Sequence, residues 1–159
     1  SEQSFGDEQL STPVAGTVMP LSAVNDEVFS KGTLGKGVAV SPTQGKLVAP
    51  TDGTVMMVYK TGHALGMKTK GVSELLFHIG LDTVNLKGKY FTPKVKQGDK
   101  VKRGDTLIEF DLDKIKAAGY DPTTMMVVTN RGKEKLKFPR FNENTKPEFN
   151  NGNLNLANA

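Results

Sequence analysis

Residues 49–56 read APTDGTVM, and residues 12–19 read TPVAGTVM. The two stretches lie 37 residues apart and share a proline, a glycine, a threonine, a valine and a methionine in register. The proline fixes φ, the glycine permits a tight turn, and the β-branched residues that follow favour a strand. Two copies are too few for a solenoid. The repeat therefore predicts one strand-starting device used twice in an antiparallel sandwich or barrel, with two chance-similar hairpins as the alternative.

The sequence around the repeat also favours short strands over helices. Residues 53–59 (GTVMMVY) and 106–110 (TLIEF) have the length and the β-branched and aromatic content of strands. One helix is predicted over Asp111–Ala118, because Asp111 can cap its first turn and Gly119 can end its last turn. A second short helical turn is predicted around Ser22–Phe29. We therefore predict an all-β fold with one or two short helices.

The charge distribution separates a folded unit from two polar ends. The net charge is +4, of which residues 131–159 carry +3 and residues 1–130 carry +1. We predict a flexible segment at 1–9, a domain at 10–130 and a polar, Asn-rich tail at 131–159. Leu136, Phe138 and Phe141 are the tail residues able to contact the domain. Lysines of the domain alternate with acids, as in residues 96–100 (KQGDK), which is typical of a solvated face. We expect no nucleic-acid partner.

Composition excludes several classes of site. The chain has no cysteine, which rules out disulfides and thiolate metal sites. Its apolar runs are shorter than the ~18 residues that a membrane helix needs, and no signal-peptide pattern begins it. We expect a water-soluble chain. Proton or nucleophilic chemistry near neutral pH then depends on the two histidines, His63 and His78.

His78 lies in a nearly apolar run, residues 75–84 (LLFHIGLDTV). Strand alternation places Leu75, Phe77 and Ile79 on one face, and Glu74, Leu76, His78 and Gly80 on the other. The continuous apolar face predicts the core side, so His78 is expected to point away from the core. Gly80 is expected to leave room for a partner or a phosphate beside it. A half-buried histidine with a purely structural hydrogen bond is the competing interpretation.

His63 has a hydroxyl two residues before it. Alternation from Val55 through Met57 and Tyr59 places Thr61 and His63 on one face, where the Thr61 hydroxyl can bond one ring nitrogen and fix its tautomer. A polar pair at the end of a strand is the structural alternative. If the two histidines meet, three chemistries are open: a phosphate relay, a weak two-histidine metal site, or acid/base catalysis.

Several ordered motifs resemble the glucose-type enzyme IIA domains of the bacterial phosphoenolpyruvate-dependent sugar phosphotransferase system. The segment HIGLDTV at 78–84 is similar to their phosphorylation-site signature. The resemblance covers about residues 10–130, and its other matches are Pro13, Gly16, 25–29 (NDEVF), 48–54 (VAPTDGT), 61–64 (TGHA), Gly71, 98–101 (GDKV), 104–105 (GD), 108–111 (IEFD) and 127–130 (VVTN).

The resemblance implies both a fold and a reaction. The fold is an antiparallel β-sandwich of the duplicated hybrid, or barrel-sandwich, type. His78 corresponds to the phosphoryl acceptor, which receives the group from the phosphohistidine of the carrier protein HPr and passes it to a cysteine of a sugar-specific IIB domain. His63 is similar to the second active-site histidine, and Thr61 to the hydroxyl that orients it. No metal or other cofactor is implied, and the expected location is the cytoplasm, with membrane contact only through the permease.

The resemblance also implies a docking surface for the partner proteins. Asp26 and Asp82 resemble two acids that face arginines of the carrier protein. An apolar ring around the histidines is matched by Val28, Phe29, Leu34, Tyr59, Leu76 and Val84.

Two other functions stay open from the sequence. A regulatory IIA-like domain of a sugar symporter would accept phosphate without passing it on. A biotinyl or lipoyl carrier domain has a related geometry, but the Met-Lys-Met and Asp-Lys-Ala triplets that carry the modified lysine are absent.

Overall fold

The computed structural model describes residues 6–142 and the backbone of residues 144–145. Thirteen strands and two short α-helices follow one another within this part of the chain. Short 3-10 turns lie at Leu21–Ala23 and Thr83–Leu86. The strands are β1 (Asp7–Gln9), β2 (Gly16–Pro20), β3 (Lys36–Pro42), β4 (Lys46–Val48), β5 (Gly53–Val58), β6 (Ala64–Thr69), β7 (Glu74–Ile79), β8 (Phe91–Pro93), β9 (Lys100–Val101), β10 (Thr106–Phe110), β11 (Thr124–Asn130), β12 (Lys135–Lys137) and β13 (Asn144–Thr145), and the helices are α1 (Glu27–Ser30) and α2 (Leu112–Ala117).

Eleven of the thirteen strands form a large sheet and a small one that share a core, and β1 and β12 form a separate pair. The large sheet has eight antiparallel strands in the order β13-β2-β3-β11-β7-β6-β5-β9, and the small sheet has three in the order β4-β10-β8. Side chains from both sheets, among them Phe77, Leu65, Leu47 and Ile108, are fully buried in one apolar cluster. The predicted all-β class with two short helices is confirmed.

The two copies of the repeated sequence form the same local structure, a strand that begins at a glycine. Gly16 and Gly53 begin β2 and β5, and a Cβ at either position would overlap a carbonyl oxygen of the neighbouring strand, that of Ser41 or of Lys68. Two loop hydrogen bonds are related by the same offset of 37 residues: Ser11 N–H donates to Pro50 O at 3.0 Å, and Val48 N–H donates to Pro13 O at 2.8 Å. The repeat is therefore structural in origin, since each copy bonds to the other.

The helix predictions are also confirmed. The Asp111 carboxylate accepts a hydrogen bond from Lys114 N–H at 3.1 Å and caps α2, and Gly119 follows the helix with φ of +92°. The region around Ser22–Phe29 contains the first 3-10 turn and α1, whose first turn is capped by Asp26. Among the described residues, no helix is both long enough and apolar enough to cross a bilayer.

The structure places three strands, β1, β12 and β13, outside the predicted domain 10–130. One of them, β13, pairs with β2 at the edge of the large sheet. β1, from the segment 1–9, pairs in parallel with β12, from the segment 131–159, and Leu10 N–H donates to Lys137 O at 2.8 Å. Leu136 and Phe138 pack against the core. Both segments are polar in composition, which does not indicate strands. In β12, Lys135 and Lys137 are exposed and only Leu136 between them is partly buried. Residues 1–5, 143 and 146–159 lie outside the described part.

Candidate active site

His78 is held by a regular central strand. Its strand β7 lies between β6 and β11, which fixes the strand on both edges. Leu75, Phe77 and Ile79 are buried, whereas His78 and Leu76 are only partly buried. The predicted alternation is confirmed, and it directs the ring of His78 away from the core.

His63 reaches the same place by a different route. β5 ends at Val58 after a register shift between Val55 and Met57, and the chain then turns, with Gly62 N–H donating to Tyr59 O at 2.8 Å. Gly62 adopts φ of +73°, a conformation that glycine allows at little cost. The prediction of one alternating strand from Val55 to His63 is therefore wrong, because a bulge and a turn interrupt it.

The strand register brings the two histidines together. Ala64 pairs with His78, and Ile79 N–H donates to the backbone oxygen of His63 at 2.8 Å. The ring centroids of His63 and His78 are 4.9 Å apart, and the ring planes meet at 82°. An edge of one ring therefore faces the other ring.

Hydrogen bonds set the proton positions on the rings. His78 Nδ1 lies 2.8 Å from the carbonyl oxygen of Gly80. A carbonyl only accepts, so Nδ1 carries the proton in the neutral ring and Nε2 is left with a free lone pair. His63 Nδ1 lies 2.7 Å from Thr61 Oγ1, as the sequence predicted. A hydroxyl both donates and accepts, so this bond is compatible with either tautomer of His63.

Burial keeps both rings neutral. The side chain of His63 is only 3% exposed, and desolvation, with a smaller repulsion from His78, lowers its pKa to about 4. Desolvation also lowers the pKa of His78, opposed by the bond to Gly80 and by the negative charges of Asp26 and Asp82. At neutral pH the site therefore presents an unprotonated Nε2 on His78, which is a competent nucleophile.

Gly80 has a different role from the predicted one. It does not open space, because a Cβ there would overlap Thr83 Cγ2, and Thr83 is itself buried. Its φ of +81° instead turns the chain so that its carbonyl oxygen accepts from His78. Thr83 Oγ1–H donates to Ile79 O at 2.5 Å and holds this turn. The sequence shows the glycine, but it does not show that Thr83 occupies the space beside it.

The rim of the site is apolar and exposed. Val28 is 51% exposed, Val84 50% and Tyr59 38%, while Leu34 and Leu76 are partly buried. Phe29 departs from the predicted docking role because it is only 6% exposed and packs its ring 5.2 Å from that of His78. Phe29 therefore packs against the histidine ring and presents little surface to a partner.

Two acids flank the rim in different ways. Asp26 is partly buried and accepts a hydrogen bond from Val28 N–H at 2.9 Å, which caps α1. Asp82 is exposed and adopts φ of +58° directly before the 3-10 turn at Thr83. Both carboxylates lie close enough to His78 to favour positive charge on its ring.

The model of the phosphoenolpyruvate-dependent sugar phosphotransferase system family EIIA 1 matches residues 8–134. The chain belongs to this family. The EIIA domain is 54% identical over 124 residues to the β-glucoside-specific EIIBCA component of Dickeya chrysanthemi, with 78% of this chain and 20% of that protein covered. It is 45% identical to the glucose-specific EIIA component of Halalkalibacterium halodurans over 78% of this chain and 72% of that protein.

A solved structure agrees with the fold. Glucose permease IIA from Mycoplasma capricolum superposes with a TM-score of 0.77 at 36% identity, over 84% of this chain and 87% of that one. The predicted glucose-type family and its β-sandwich fold are confirmed. The chain spans about one fifth of the length of the EIIBCA relatives that it matches first.

The structure adds Phe91, which the sequence prediction missed, to the site of the EIIA domain. The ring of Phe91 lies 6.4 Å from that of His63, and the ring of Tyr59 lies 5.7 Å from it on an edge. Phe91 begins a strand of the small sheet, and no local pattern in the sequence links it to the histidines. Among the described residues, no three His, Cys, Asp or Glu side chains form a metal-sized group.

Proposed function

We propose that the domain carries phosphoryl groups on His78 Nε2, accepting them from the phosphohistidine of HPr and passing them to a cysteine of a sugar-specific IIB domain. The observation that carries the proposal is the hydrogen bond from His78 Nδ1–H to Gly80 O, which leaves Nε2 as the nucleophilic nitrogen. Family membership supports the phosphotransfer role in general terms.

The acceptance step forms one bond and breaks another. The Nε2 lone pair attacks phosphorus, the N–P bond of the donor phosphohistidine breaks, and its electron pair returns to the donor ring. His78 keeps its Nδ1 proton, so the phosphorylated ring gains positive charge. The Gly80 carbonyl and the carboxylates of Asp26 and Asp82 stabilise that charge. The same charge makes the ring a good leaving group when a IIB thiolate attacks phosphorus.

His63 stabilises the phosphoryl oxygens in this scheme. With Thr61 Oγ1–H donating to Nδ1, the proton of His63 sits on Nε2, where it can donate a hydrogen bond to the transferring group. A donor fixed before the reaction stabilises developing charge at little reorganisation cost. The apolar rim excludes water around it. The reaction uses protein side chains alone, without a metal or other cofactor.

Docking uses the rim and its acids. Val28, Tyr59, Leu76 and Val84, with a partial contribution from Leu34, form the apolar contact, and Asp26 and Asp82 meet cations of HPr. The names of the EIIBCA relatives include a IIB component, which supports a IIB acceptor. HPr and IIB would then meet the domain on the cytoplasmic side, and membrane contact would come only through a permease.

The test is phosphorylation by phosphoenolpyruvate, enzyme I and HPr, followed by ³¹P NMR of the intact domain. We expect an acid-labile phosphohistidine on Nε2 of His78, and no label in His78→Gln, because an amide nitrogen is not a nucleophile. His63→Gln is the matched control, which still accepts the group. Label on Nδ1, or label in His78→Gln, would contradict the assignment.

A second step separates the carrier from a purely regulatory domain. The isolated phosphorylated domain is mixed with a purified IIB domain of the β-glucoside type, and loss of label from His78 is followed. A carrier gives transfer to the IIB cysteine within seconds to minutes. Phosphorylation without any onward transfer would instead indicate the regulatory role.

A further inference from the structure

Two adjoining grooves run past Lys36 on β3. One groove, of about 480 Å³, is lined by residues of the α1–β3 region and by Phe138. The other, of about 420 Å³, is lined by residues of β3, β11 and β12 and again by Lys36 and Phe138. Because they share these two residues, we treat them together as the Lys36–Phe138 groove. Its remaining lining residues are Leu21, Ser30, Lys31, Gly32, Gly35, Gly37, Val128, Arg131, Lys135 and Leu136.

The groove has cations around it and no acid in its lining. Lys31, Lys36, Arg131 and Lys135 are all exposed. Lys31 has an ion pair with Glu27 at 3.5 Å, but both side chains are largely in solvent, where such a pair is weak. In the described part of the chain, Lys36, Arg131 and Lys135 have no ion pair. The groove therefore offers uncompensated positive charge.

Two of these four cations, Arg131 and Lys135, belong to a short basic segment. Residues 131–140 contain five cations and one acid, a net charge of +4 that equals the net charge of the whole chain. The acid is Glu134, which is buried and accepts a hydrogen bond from Thr69 Oγ1–H at 2.5 Å. It lines a separate pocket, together with Thr69 and Lys70, and is not part of the lining of the groove. A field of one sign attracts partners of the opposite sign.

The floor of the groove is apolar and recessed. Val128, Leu136 and Phe138 are partly buried and pack against the core, so their exposed edges lie below the rim of cations. A flat bilayer or a rigid duplex contacts the cations but does not reach such a floor. A polypeptide segment does, because its apolar side chains can enter the groove while neighbouring carboxylates meet the rim.

The groove also adjoins the docking rim of the histidine site. Ser30 and Lys31 of its lining directly follow Val28 and Phe29 in the chain. A protein docked at the rim can therefore extend a segment into the groove.

We propose that the Lys36–Phe138 groove binds an acidic, apolar-rich polypeptide segment of a partner protein. The carboxylates pair with Lys36, Arg131 and Lys135, and the apolar side chains cover Phe138. The inference rests on the charge and shape of the groove, and it does not depend on phosphoryl transfer by His78.

The experiment is NMR titration and fluorescence anisotropy of the full chain with a fluorescein-labelled decapeptide of alternating Glu and Leu. Two decapeptides serve as controls, one with Lys in place of Glu and one with Ser in place of Leu. We expect amide shifts centred on Lys36, Val128 and Phe138, and binding that weakens as salt is raised. Both control peptides should bind at least tenfold more weakly.

Variants locate the binding. Lys36→Glu combined with Arg131→Glu should weaken binding of the Glu-Leu peptide by about tenfold or more, since each reversal replaces an attraction by a repulsion. Lys46→Glu combined with Lys116→Glu reverses two exposed lysines elsewhere and should change binding less than twofold. Thermal melting of both double variants checks that they fold.

Four results would overturn the proposal. They are equal binding of the three peptides, amide shifts centred on His78 in place of the groove, and equal weakening by the two double variants. The fourth is tighter binding to vesicles of 30% phosphatidylserine or to a single-stranded RNA than to the Glu-Leu peptide, with the same loss in Lys36→Glu combined with Arg131→Glu. That result would assign the groove to a lipid surface or to nucleic acid.

Discussion

The two histidines occupy one site but are placed by different kinds of structure. His78 lies within β7, a strand paired on both edges, whereas His63 follows a turn and stands just outside β6. The proton of His78 is directed by a backbone carbonyl, which can only accept. The Nδ1 atom of His63 instead faces the hydroxyl of Thr61, which can donate or accept.

In the proposed mechanism the difference separates a nucleophile, His78, from a helper, His63. Backbone geometry holds His78 in one tautomer, so its Nε2 is available before any partner arrives. The bond of His63 to Thr61 fits either tautomer, and the proposed role needs the one with the proton on Nε2. The following predictions test whether this division of roles is correct.

The largest expected effect is that of His63→Gln on onward transfer. Acceptance is driven by the reactive N–P bond of the donor, whereas onward transfer needs charge stabilised beside the His78 ring, which the His63 ring faces at 4.9 Å. Loss of one fixed donor costs about 10²–10³ in rate. We expect acceptance within about tenfold of the unchanged domain and onward transfer slowed by at least about a hundredfold, both measured by rapid quench.

Equal loss in the two steps would contradict the division between nucleophile and helper. Thr61→Val keeps His63 but removes the hydroxyl bonded to it. Its rate of onward transfer should lie between those of the unchanged domain and His63→Gln.

Gly80→Ala tests whether the backbone carbonyl of Gly80 positions His78. The new Cβ would meet Thr83 at a φ of +81°, so the turn must shift and carry the carbonyl that holds His78 with it. We expect a loss of about 2–3 kcal/mol in the free energy of unfolding, measured in urea, and slower acceptance.

Gly98→Ala is the matched control. Its φ of +92° is similar, but nothing lies within 4 Å of the added Cβ. It should lose only about 1 kcal/mol and keep the acceptance rate. If the two variants behave alike, crowding against Thr83 does not position His78.

The smallest expected effect is the change of the free energy of unfolding with pH. His63 has a pKa of about 4 when folded and near 6.5 when unfolded, so below pH 6.5 the unfolded state takes up the proton first. The free energy of unfolding is therefore highest above pH 6.5, and protonation of His63 in the unfolded state lowers it as the pH falls towards 4. Between pH 7 and pH 5 we expect a loss of roughly 1–2 kcal/mol in the free energy of unfolding, and a smaller loss in His63→Gln. Urea titrations of both proteins at the two pH values measure it.

Local rules were sufficient where the chain is regular. The alternation around His78, the capped helix after Asp111 and the glycines of the repeat all follow from steric and hydrogen-bonding preferences of a few consecutive residues. The same rule failed for His63, because a bulge near Met57 and the turn at Gly62 change the parity. Bulges depend on the partner strand, which alternation does not include.

The chain ends show a second limit of local reasoning. Composition assigned residues 1–9 to a flexible segment and residues 131–159 to a polar tail, but Asp7–Gln9 and Lys135–Lys137 pair in parallel. Each strand has three residues, too few for a periodic signal, and pairing between segments so distant in sequence leaves no local trace.

The sequence by itself determined the β class, the duplicated strand starts, the outward direction of His78 and the nearness of Thr61 to His63. It could do so because each depends on backbone preferences and on spacings of two residues. Only the tertiary structure decided that the two rings meet, that Gly80 O sets the proton of His78, that Phe29 is buried behind it, and that a cationic groove adjoins the rim. Those features depend on contacts between residues distant in the chain, which arise from packing and not from local pattern.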